Sequence, residues 1–469
     1  MADRAPQCRT RRSHPCDAHI LSFSHSPTMT LSRQSNAASN PGLAAALQSA
    51  RASYLERNPK SHAAYSKATE SLPGGGTRTT LVVDPFPLMI ESGKGSEITD
   101  VDGHTYKDFL SDYTSGLYGK SNPVLLEAIS KALAQGLQFG AHTPHEARFA
   151  AGLVARFPSM DLVRFANSGT EANMLALTTA LKHTGRSKVV VFDGAYHGSL
   201  LCHFHTGDKG MPEGVVRAPF DFVIAPYNDI DGVKALLGPI KADVGAIIVE
   251  PMLGAGGCVP AEPQFLRDLR DYSTEIGSVL IFDEVQTSRL SPGGRQALLG
   301  ITPDMTTVGK FFGGGFAFGA FGGKREIMDM FDIRKPGAIS HGGTFNNSPL
   351  TMVAGATALE HLLTPEALER LNNLGDHMRD ALNAAFKTTN APFFAKGLGS
   401  INQLYCTLPA EDRDAAMEVL FFMLLEKGYW VSQRGTLALN FENSAEEVDG
   451  FVAAAVEAAG RVAAAAKSH

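Results

Sequence analysis

The chain runs Val279-Leu280-Ile281-Phe282-Asp283-Glu284 at its most informative point, where an apolar run ends in two carboxylates. An uninterrupted apolar run of this length is typical of a strand buried on both faces of a parallel sheet. Parallel sheets bind their ligands beyond the carboxyl ends of the strands. Asp283 is therefore expected at the edge of the sheet where a ligand would bind.

Strand-like and helix-like segments alternate around this stretch. The other strand-like runs are Lys188–Phe192, Phe222–Pro226 and Ala246–Glu250, and the helix-like segments are Glu171–His183 and Glu262–Ile276. This alternation predicts an α/β fold with a mostly parallel sheet between helices. Nearer the N-terminus, Asp102-Gly103 between strand-like segments predicts a hairpin over residues 98–110.

The sequence is expected to divide into four parts, namely a disordered extension (1–41), an N-terminal segment of a small domain (42–110), a large domain (111–345) and the C-terminal part of the small domain (346–469). A helical pattern begins near residue 42, and Pro73-Gly74-Gly75-Gly76 ends it. After residue 346, long helical patterns alternate with weak strands. Ser444-Ala445-Glu446-Glu447 predicts a capping box at the last helix.

The first 40 residues are rich in Arg, Ser, His and Pro and show no apolar periodicity, which predicts disorder. A mitochondrial transit peptide is the alternative, because such peptides are rich in Arg and Ser. Asp3 and the lack of an amphipathic pattern count against it. Met29 is a second candidate start. The cytoplasm is the expected compartment, with the mitochondrion left open.

Composition limits the classes of function. The chain has 469 residues, 44% of them hydrophobic and 19% charged, which indicates a globular protein of two or three domains. A net charge of -6 and the lack of a long apolar run predict neither nucleic-acid nor membrane binding. Five scattered cysteines argue against a secreted disulfide framework. Cys202-His203-Phe204-His205 has no matching second ligand set, so no metal site is expected.

Three stretches contain residues suited to holding a charged, planar cofactor. Ser168-Gly169-Thr170 precedes a helix and could hold a phosphate, although a plain N-cap remains the alternative. Asp283 could pair with a protonated pyridine nitrogen, or form a metal-binding acidic pair with Glu284. Lys310 lies among Phe and Gly residues, where desolvation would make it an imine-forming amine instead of a surface-turn lysine.

Four further residues are weaker candidates. Tyr196 could lay its ring against a planar cofactor, and Thr344 lies in a glycine-rich loop that could reach a phosphate. Arg78 and Arg434 could each bind a substrate carboxylate through two hydrogen bonds. Solvated arginines and plain loops are the alternatives.

Taken in order, these residues resemble the class III, fold-type I pyridoxal-phosphate (PLP) aminotransferases. The matching set is Ser168-Gly169-Thr170, Tyr196-His197-Gly198, Glu250-Pro251, Asp283-Glu284-Val285-Gln286-Thr287, Lys310 and Gly343-Thr344-Phe345. The resemblance runs from about residue 60 to 460. It implies a large PLP-binding domain with a mostly parallel sheet and a smaller α+β domain.

The resemblance also implies a role for each residue. Lys310 would form the internal aldimine and move the proton, and Asp283 would pair with the pyridinium nitrogen. Ser168, Gly169 and Thr170 would hold the phosphate, with Thr344 reaching in from the other subunit of a homodimer. The remaining cofactor contacts would be Tyr196 and Val285 on the two ring faces and Gln286 at the ring hydroxyl oxygen.

Within the family the chain is most similar to the β-amino-acid branch, typified by β-phenylalanine aminotransferase. The shared stretches are Gly74-Gly75-Gly76-Thr77-Arg78-Thr79, Asp84-Pro85-Phe86-Pro87-Leu88, Thr114-Ser115-Gly116-Leu117-Tyr118-Gly119, Gly343-Thr344-Phe345-Asn346-Asn347 and Arg434-Gly435. The resemblance implies ping-pong transfer of an amino group from a β-amino acid to a 2-oxo acid, with Arg78 and Arg434 binding carboxylates. Glutamate-1-semialdehyde 2,1-aminomutase is the alternative, although its early arginine lies further past the Pro-Gly-Gly.

Overall fold

The computed structural model describes residues 39–205 and 214–468, and seven of the strands there form one central sheet. In sheet order these are β4 (Leu162–Ala166), β12 (Gly319–Gly323), β11 (Met305–Gly309), β10 (Val279–Asp283), β7 (Val244–Val249), β5 (Lys188–Phe192) and β6 (Asp221–Ala225). Strand β12 is antiparallel to both neighbours, and the other pairings are parallel. The predicted α/β fold with a mostly parallel sheet is confirmed.

The α-helices of the described ranges are α1 (Pro41–Arg57), α2 (Pro59–Ala68), α3 (Pro123–Gln135), α4 (Pro144–Arg156), α5 (Gly169–Thr184), α6 (Ile230–Leu237), α7 (Pro263–Glu275), α8 (Gly294–Leu299), α9 (Arg325–Met328), α10 (Pro349–His361), α11 (Pro365–Thr389), α12 (Ala410–Glu426) and α13 (Ala445–Ala466). Several begin with proline, whose fixed φ suits the first helical turn. Helix α5 buries Ala176 and Ala180 in the same core cluster as Val190, Ile247 and Ile281 of the sheet. This packing places the start of α5 beside the carboxyl edge of the sheet.

Smaller sheets lie outside the central one. They contain β1 (Ile90–Lys94), β2 (Glu97–Asp100), β3 (Thr105–Asp108) and β15 (Tyr429–Trp430), then β13 (Phe393–Leu398), β14 (Ile401–Cys406) and β16 (Thr436–Ala438), and finally β8 (Met252–Leu253) and β9 (Val259–Pro260). Strand β15 pairs with β3, which joins a late segment of the chain to an early one. This pairing supports one small domain built from both ends, and its boundaries at residues 110 and 345 stay predictions.

Local sequence patterns predicted most of the secondary-structure elements close to their observed positions. The hairpin of β2 and β3 is present, and Ser444 and Glu447 form the expected capping box on α13. Strand β7 begins two residues earlier than its pattern predicts and ends at Val249. Glu250 lies just beyond the strand, and its carboxylate accepts backbone hydrogen bonds from two loops at the edge of the sheet.

Residues 1–38 lie outside the described ranges, so the predicted disorder, the transit-peptide alternative, the Met29 start and the cytoplasmic location stay predictions. Cys8 and Cys16 lie there too, and the remaining cysteines are free thiols. In the part of the chain that the structure describes, no helix has the length and apolar character needed to cross a membrane.

Candidate active site

Lys310 follows β11 directly, at the carboxyl edge of the central sheet. Its φ of 55° lies in the left-handed region, where non-glycine residues are uncommon and often functional. Its Nζ donates a hydrogen bond of 2.5 Å to the carbonyl oxygen of Tyr113. Desolvation lowers the pKa of Lys310 to about 8, against the opposing charge of Asp112. At pH 7 about a tenth of the amine is therefore neutral, far more than for an ordinary lysine, and the neutral form is the nucleophile.

Asp283 ends the neighbouring strand and is held by three donors. Its Oδ2 accepts hydrogen bonds of 2.8 Å from Asn173 Nδ2 and from His197 Nδ1 in the tautomer that carries the proton there. Its Oδ1 accepts from the backbone N–H of Val285 at 3.0 Å. Thr307 donates to Asn173 Oδ1 at 2.6 Å, so the NH₂ group of that amide faces Asp283. The carboxylate is rigidly oriented, and Oδ1 keeps capacity for one more donor.

The start of α5 has the features of an anion site. Ser168 is its N-cap, and Ser168 Oγ accepts from Glu171 N at 3.1 Å, so the capping role is present. The first N–H groups of a helix have no partner inside the helix and attract anions. A Cβ on Gly169 would lie 3.1 Å from Val285, so the chain after Asp283 passes close to this turn.

Two further close approaches join this turn to the rest of the site. A Cβ built on Gly309, which precedes Lys310, would lie 3.5 Å from the Cα of Gly169. Gly198 has a φ of 123°, and a Cβ there would lie 2.1 Å from Thr170 Oγ1. The anion site, Asp283 and Lys310 therefore lie next to one another, in an arrangement that fits a phosphorylated pyridine aldehyde.

One cavity of about 670 Å³ brings together five of the sequence-predicted residues, which are Arg78, Tyr196, Gln286, Lys310 and Arg434. Gln286 packs against bare backbone, because a Cβ on Gly254 would lie 2.1 Å from Gln286 Nε2. The guanidinium groups of Arg78 and Arg434 share this cavity with the reactive amine of Lys310 and could bind the carboxylate of a substrate. Asp112 already pairs with one of them, since its Oδ1 lies 2.7 Å from Arg78 Nη1.

Glu250 was named in the matching set from the sequence but was given no role, although it directly follows strand β7 at the same edge of the sheet as Asp283. Its Oε1 accepts from Tyr196 N and its Oε2 from Gly254 N, both at 2.9 Å. Burial raises the pKa of Glu250, an effect that His197 opposes and the charge of Asp283 strengthens. This carboxyl group ties the Tyr196 loop to the loop against which Gln286 packs.

Glu284 and Thr344 lie apart from the cavity. The Glu284 carboxylate accepts from Thr287 Oγ1 and from the backbone N–H groups of Arg295 and Gln296, so it caps a neighbouring turn instead of joining Asp283. Thr344 is exposed, in a loop that Asn346 ties to Asn167 through a hydrogen bond of 2.9 Å. Its phosphate contact stays a prediction. Across residues 39–205 and 214–468, no cluster of His, Cys, Asp and Glu could hold a metal ion.

Comparison with known proteins gives a consistent family. The family model for class-III aminotransferases matches residues 80–444. An uncharacterised aminotransferase of Schizosaccharomyces pombe is 42% identical over 87% of this chain and 94% of its own length. A β-phenylalanine transaminase of Variovorax paradoxus is 40% identical over 87% of this chain and 94% of its own.

Solved structures and further relatives agree with this match. The crystal structure of the β-phenylalanine aminotransferase from Variovorax paradoxus superposes with a TM-score of 0.83, over 88% of this chain and 96% of that one. A glutamate-1-semialdehyde 2,1-aminomutase of Brevibacillus brevis is 37% identical over 85% of this chain and 98% of its own length. The chain belongs to the class-III aminotransferases and is a PLP-dependent transaminase.

Proposed function

We propose that this enzyme transfers the amino group of a β-amino acid to a 2-oxo acid in two half-reactions. The observation that carries the proposal is the cavity that contains Lys310 together with Arg78 and Arg434. A β-amino acid and a 2-oxo acid each bring a carboxylate, and a guanidinium binds it in an oriented way. The 40% identity to a β-phenylalanine transaminase supports the same substrate class.

Each residue of the site has a proposed task. PLP, when bound, supplies an electron sink for the carbon that carries the amino group. Asp283, fixed by Asn173 and His197, would hold the ring nitrogen protonated. Lys310 would bind the aldehyde carbon and carry the proton between two carbon atoms. The further proposed contacts are Ser168, Gly169, Thr170 and Thr344 for the phosphate, and Tyr196, Val285 and Gln286 for the ring.

A homodimer with shared sites is part of the proposal. Thr344 is exposed in the single chain, which suits a residue that reaches a neighbouring subunit. Exposed apolar side chains also occur at Leu133, Leu137, Phe139 and Phe345. Light scattering coupled to size exclusion should give twice the chain mass, and a monomer of full activity would contradict the shared site.

The aminomutase is the second candidate, because aminomutases are among the close relatives. Its chemistry moves an amino group within one substrate and needs no acceptor. Purified holoenzyme should therefore be mixed with panels of α- and β-amino acids without acceptor, and its visible absorbance followed. A change with β-amino acids alone supports the proposal, and a change with α-amino acids alone excludes the β-amino-acid substrate. Turnover of glutamate 1-semialdehyde without acceptor would support the aminomutase.

Replacing Arg78 by alanine should raise KM for β-amino acids roughly tenfold to a hundredfold, because a charge-assisted hydrogen bond contributes about 1.5–3 kcal/mol. KM for 1-phenylethylamine, which lacks a carboxylate, should not rise. Arg148→Ala is the matched control, since it breaks another half-exposed ion pair, with Glu360. Equal effects of Arg78→Ala on both donors would exclude carboxylate binding by Arg78.

Replacing Gly198 by alanine should weaken PLP binding at least roughly tenfold, because the new methyl group would displace the Thr170 side chain. Titration of the apoprotein with PLP measures this effect. The control is Gly185→Ala, at the C-terminal end of α5, the helix that contains Thr170. Its φ of 68° is also positive, but it lies in the left-handed region that other residues can adopt, and its Cβ would meet open space. Equal PLP affinity in the two variants would contradict this account of the phosphate site.

A further inference from the structure

The segment before the cavity has an unusual backbone. Ser111, Asp112, Tyr113 and Thr114 have φ values of 46°, 45°, 51° and 77°, so four consecutive non-glycine residues are left-handed. Such a conformation costs energy at each residue and persists only where the surroundings hold it. A left-handed turn of this length therefore points to a task at this position.

The surroundings hold this turn from several sides. Lys310 Nζ donates to the carbonyl oxygen of Tyr113, and the fully buried Arg289 donates to that of Thr114. Ser111 Oγ donates to the carbonyl oxygen of Ala438 at 2.8 Å. The turn is thus anchored to the reactive lysine itself, and its side chains lie at fixed places beside the cavity.

Asp112 is the acidic side chain of this turn, and it faces Arg78. Its Oδ1 lies 2.7 Å from Arg78 Nη1, while its Oδ2 accepts a hydrogen bond of 2.7 Å from Ser115 Oγ. The side chains of Asp112 and Arg78 are 48% and 46% exposed, so solvent and ligands can reach the pair. The charge of Asp112 also acts on Lys310 and raises its pKa. Asp112 therefore lies within electrostatic reach of both the guanidinium and the amine.

We propose that Asp112 is a specificity-determining residue that occupies Arg78 until a substrate carboxylate displaces it. The proposal rests on the proposed role of Arg78 in binding that carboxylate. A ligand with a carboxylate alone must break the ion pair, and it leaves the negative charge of Asp112 without a positively charged partner. An amino acid brings an ammonium group as well, which takes the place of Arg78 beside Asp112. At Arg78 the site then selects zwitterionic amino acids over simple carboxylates of the same shape, while Arg434 is left to bind the carboxylate of the 2-oxo acid.

The test uses 3-phenylpropanoate, which has the carboxylate and ring of β-phenylalanine but no amino group. Calorimetric titration of the holoenzyme should show binding roughly threefold to tenfold tighter in Asp112→Asn than in the unaltered enzyme at low salt. Asparagine suits the variant, because it tolerates positive φ better than most residues. KM for β-phenylalanine should not fall by the same factor, since the ammonium group of the amino acid loses its contact with the Asp112 carboxylate.

The matched control is Asp221→Asn, which removes an acid from an ion pair of the same 2.7 Å length, with Lys188, at 53% exposure. It should leave the affinity for 3-phenylpropanoate unchanged. In the Arg78→Ala background, the Asp112→Asn change should no longer tighten binding, because the two residues act through one contact. Ser115→Ala, which loosens Asp112 and keeps its charge, should tighten binding by a smaller factor.

Two results would overturn the proposal. One is unchanged or weaker binding of 3-phenylpropanoate in both Asp112→Asn and Ser115→Ala. The other is an equal gain with and without Arg78. Failure of the proposed function would look different, because the unaltered holoenzyme would then show no absorbance change with any β-amino acid, whatever its affinity for the carboxylate.

Discussion

Replacing Lys310 by alanine is expected to lower turnover at least roughly a thousandfold, because the amine that binds the aldehyde and carries the proton is lost. The fold should persist, since alanine and lysine meet the same backbone strain at a φ of 55° and the change removes a desolvated cation. Rapid-mixing measurement of the half-reaction gives the rate, and thermal unfolding checks the fold. Lys131→Ala, in an exposed ion pair on α3, is the control.

Small amines provide a second test of the lysine. The cavity of about 670 Å³ can admit methylamine, which should restore part of the proton transfer in Lys310→Ala. In the unaltered apoprotein, the rate of PLP uptake should rise with pH and level off above about 8, because only the neutral Lys310 amine attacks an aldehyde. Turnover above roughly a tenth of normal in Lys310→Ala, without added amine, would refute the assignment.

The second large effect is expected from Asp283→Asn, which should lower kcat roughly a hundredfold to a thousandfold. The amide still accepts from Asn173 or His197, but it cannot form an ion pair with a protonated ring nitrogen. A PLP analogue methylated on that nitrogen carries a permanent positive charge. It should restore part of the lost rate if the role of Asp283 is to keep the nitrogen charged.

Glu284→Gln separates this effect from damage to the fold. Glu284 is the adjacent buried carboxylate, but its partners are Thr287 and the backbone of α8. Its replacement should lower the free energy of unfolding and leave kcat of the folded enzyme nearly unchanged. Equal losses of kcat in Asp283→Asn and Glu284→Gln would show that the loss in Asp283→Asn is not specific to a contact with the ring nitrogen.

Local sequence was informative where a site residue lies at the end of a regular element. Asp283 ends a buried strand, Lys310 follows one and Ser168 caps a helix, so pattern alone places all three at one edge of the sheet. Glu250 carried the same signal. Tyr113 and Asp112 carried none, because a left-handed turn of ordinary residues depends on distant partners such as Lys310, 197 positions along the chain.

The sequence by itself determined the alternation of strands and helices, the family and the chemical types at the carboxyl edge, since these follow from short-range periodicity and motif order. Only the tertiary structure decided which groups meet. It paired Arg78 with Asp112, fixed Asp283 between Asn173 and His197, and directed Glu284 away. The physical reason is that hydrogen bonds and ion pairs act over about 3 Å, and chain closure over hundreds of residues sets which atoms come that close.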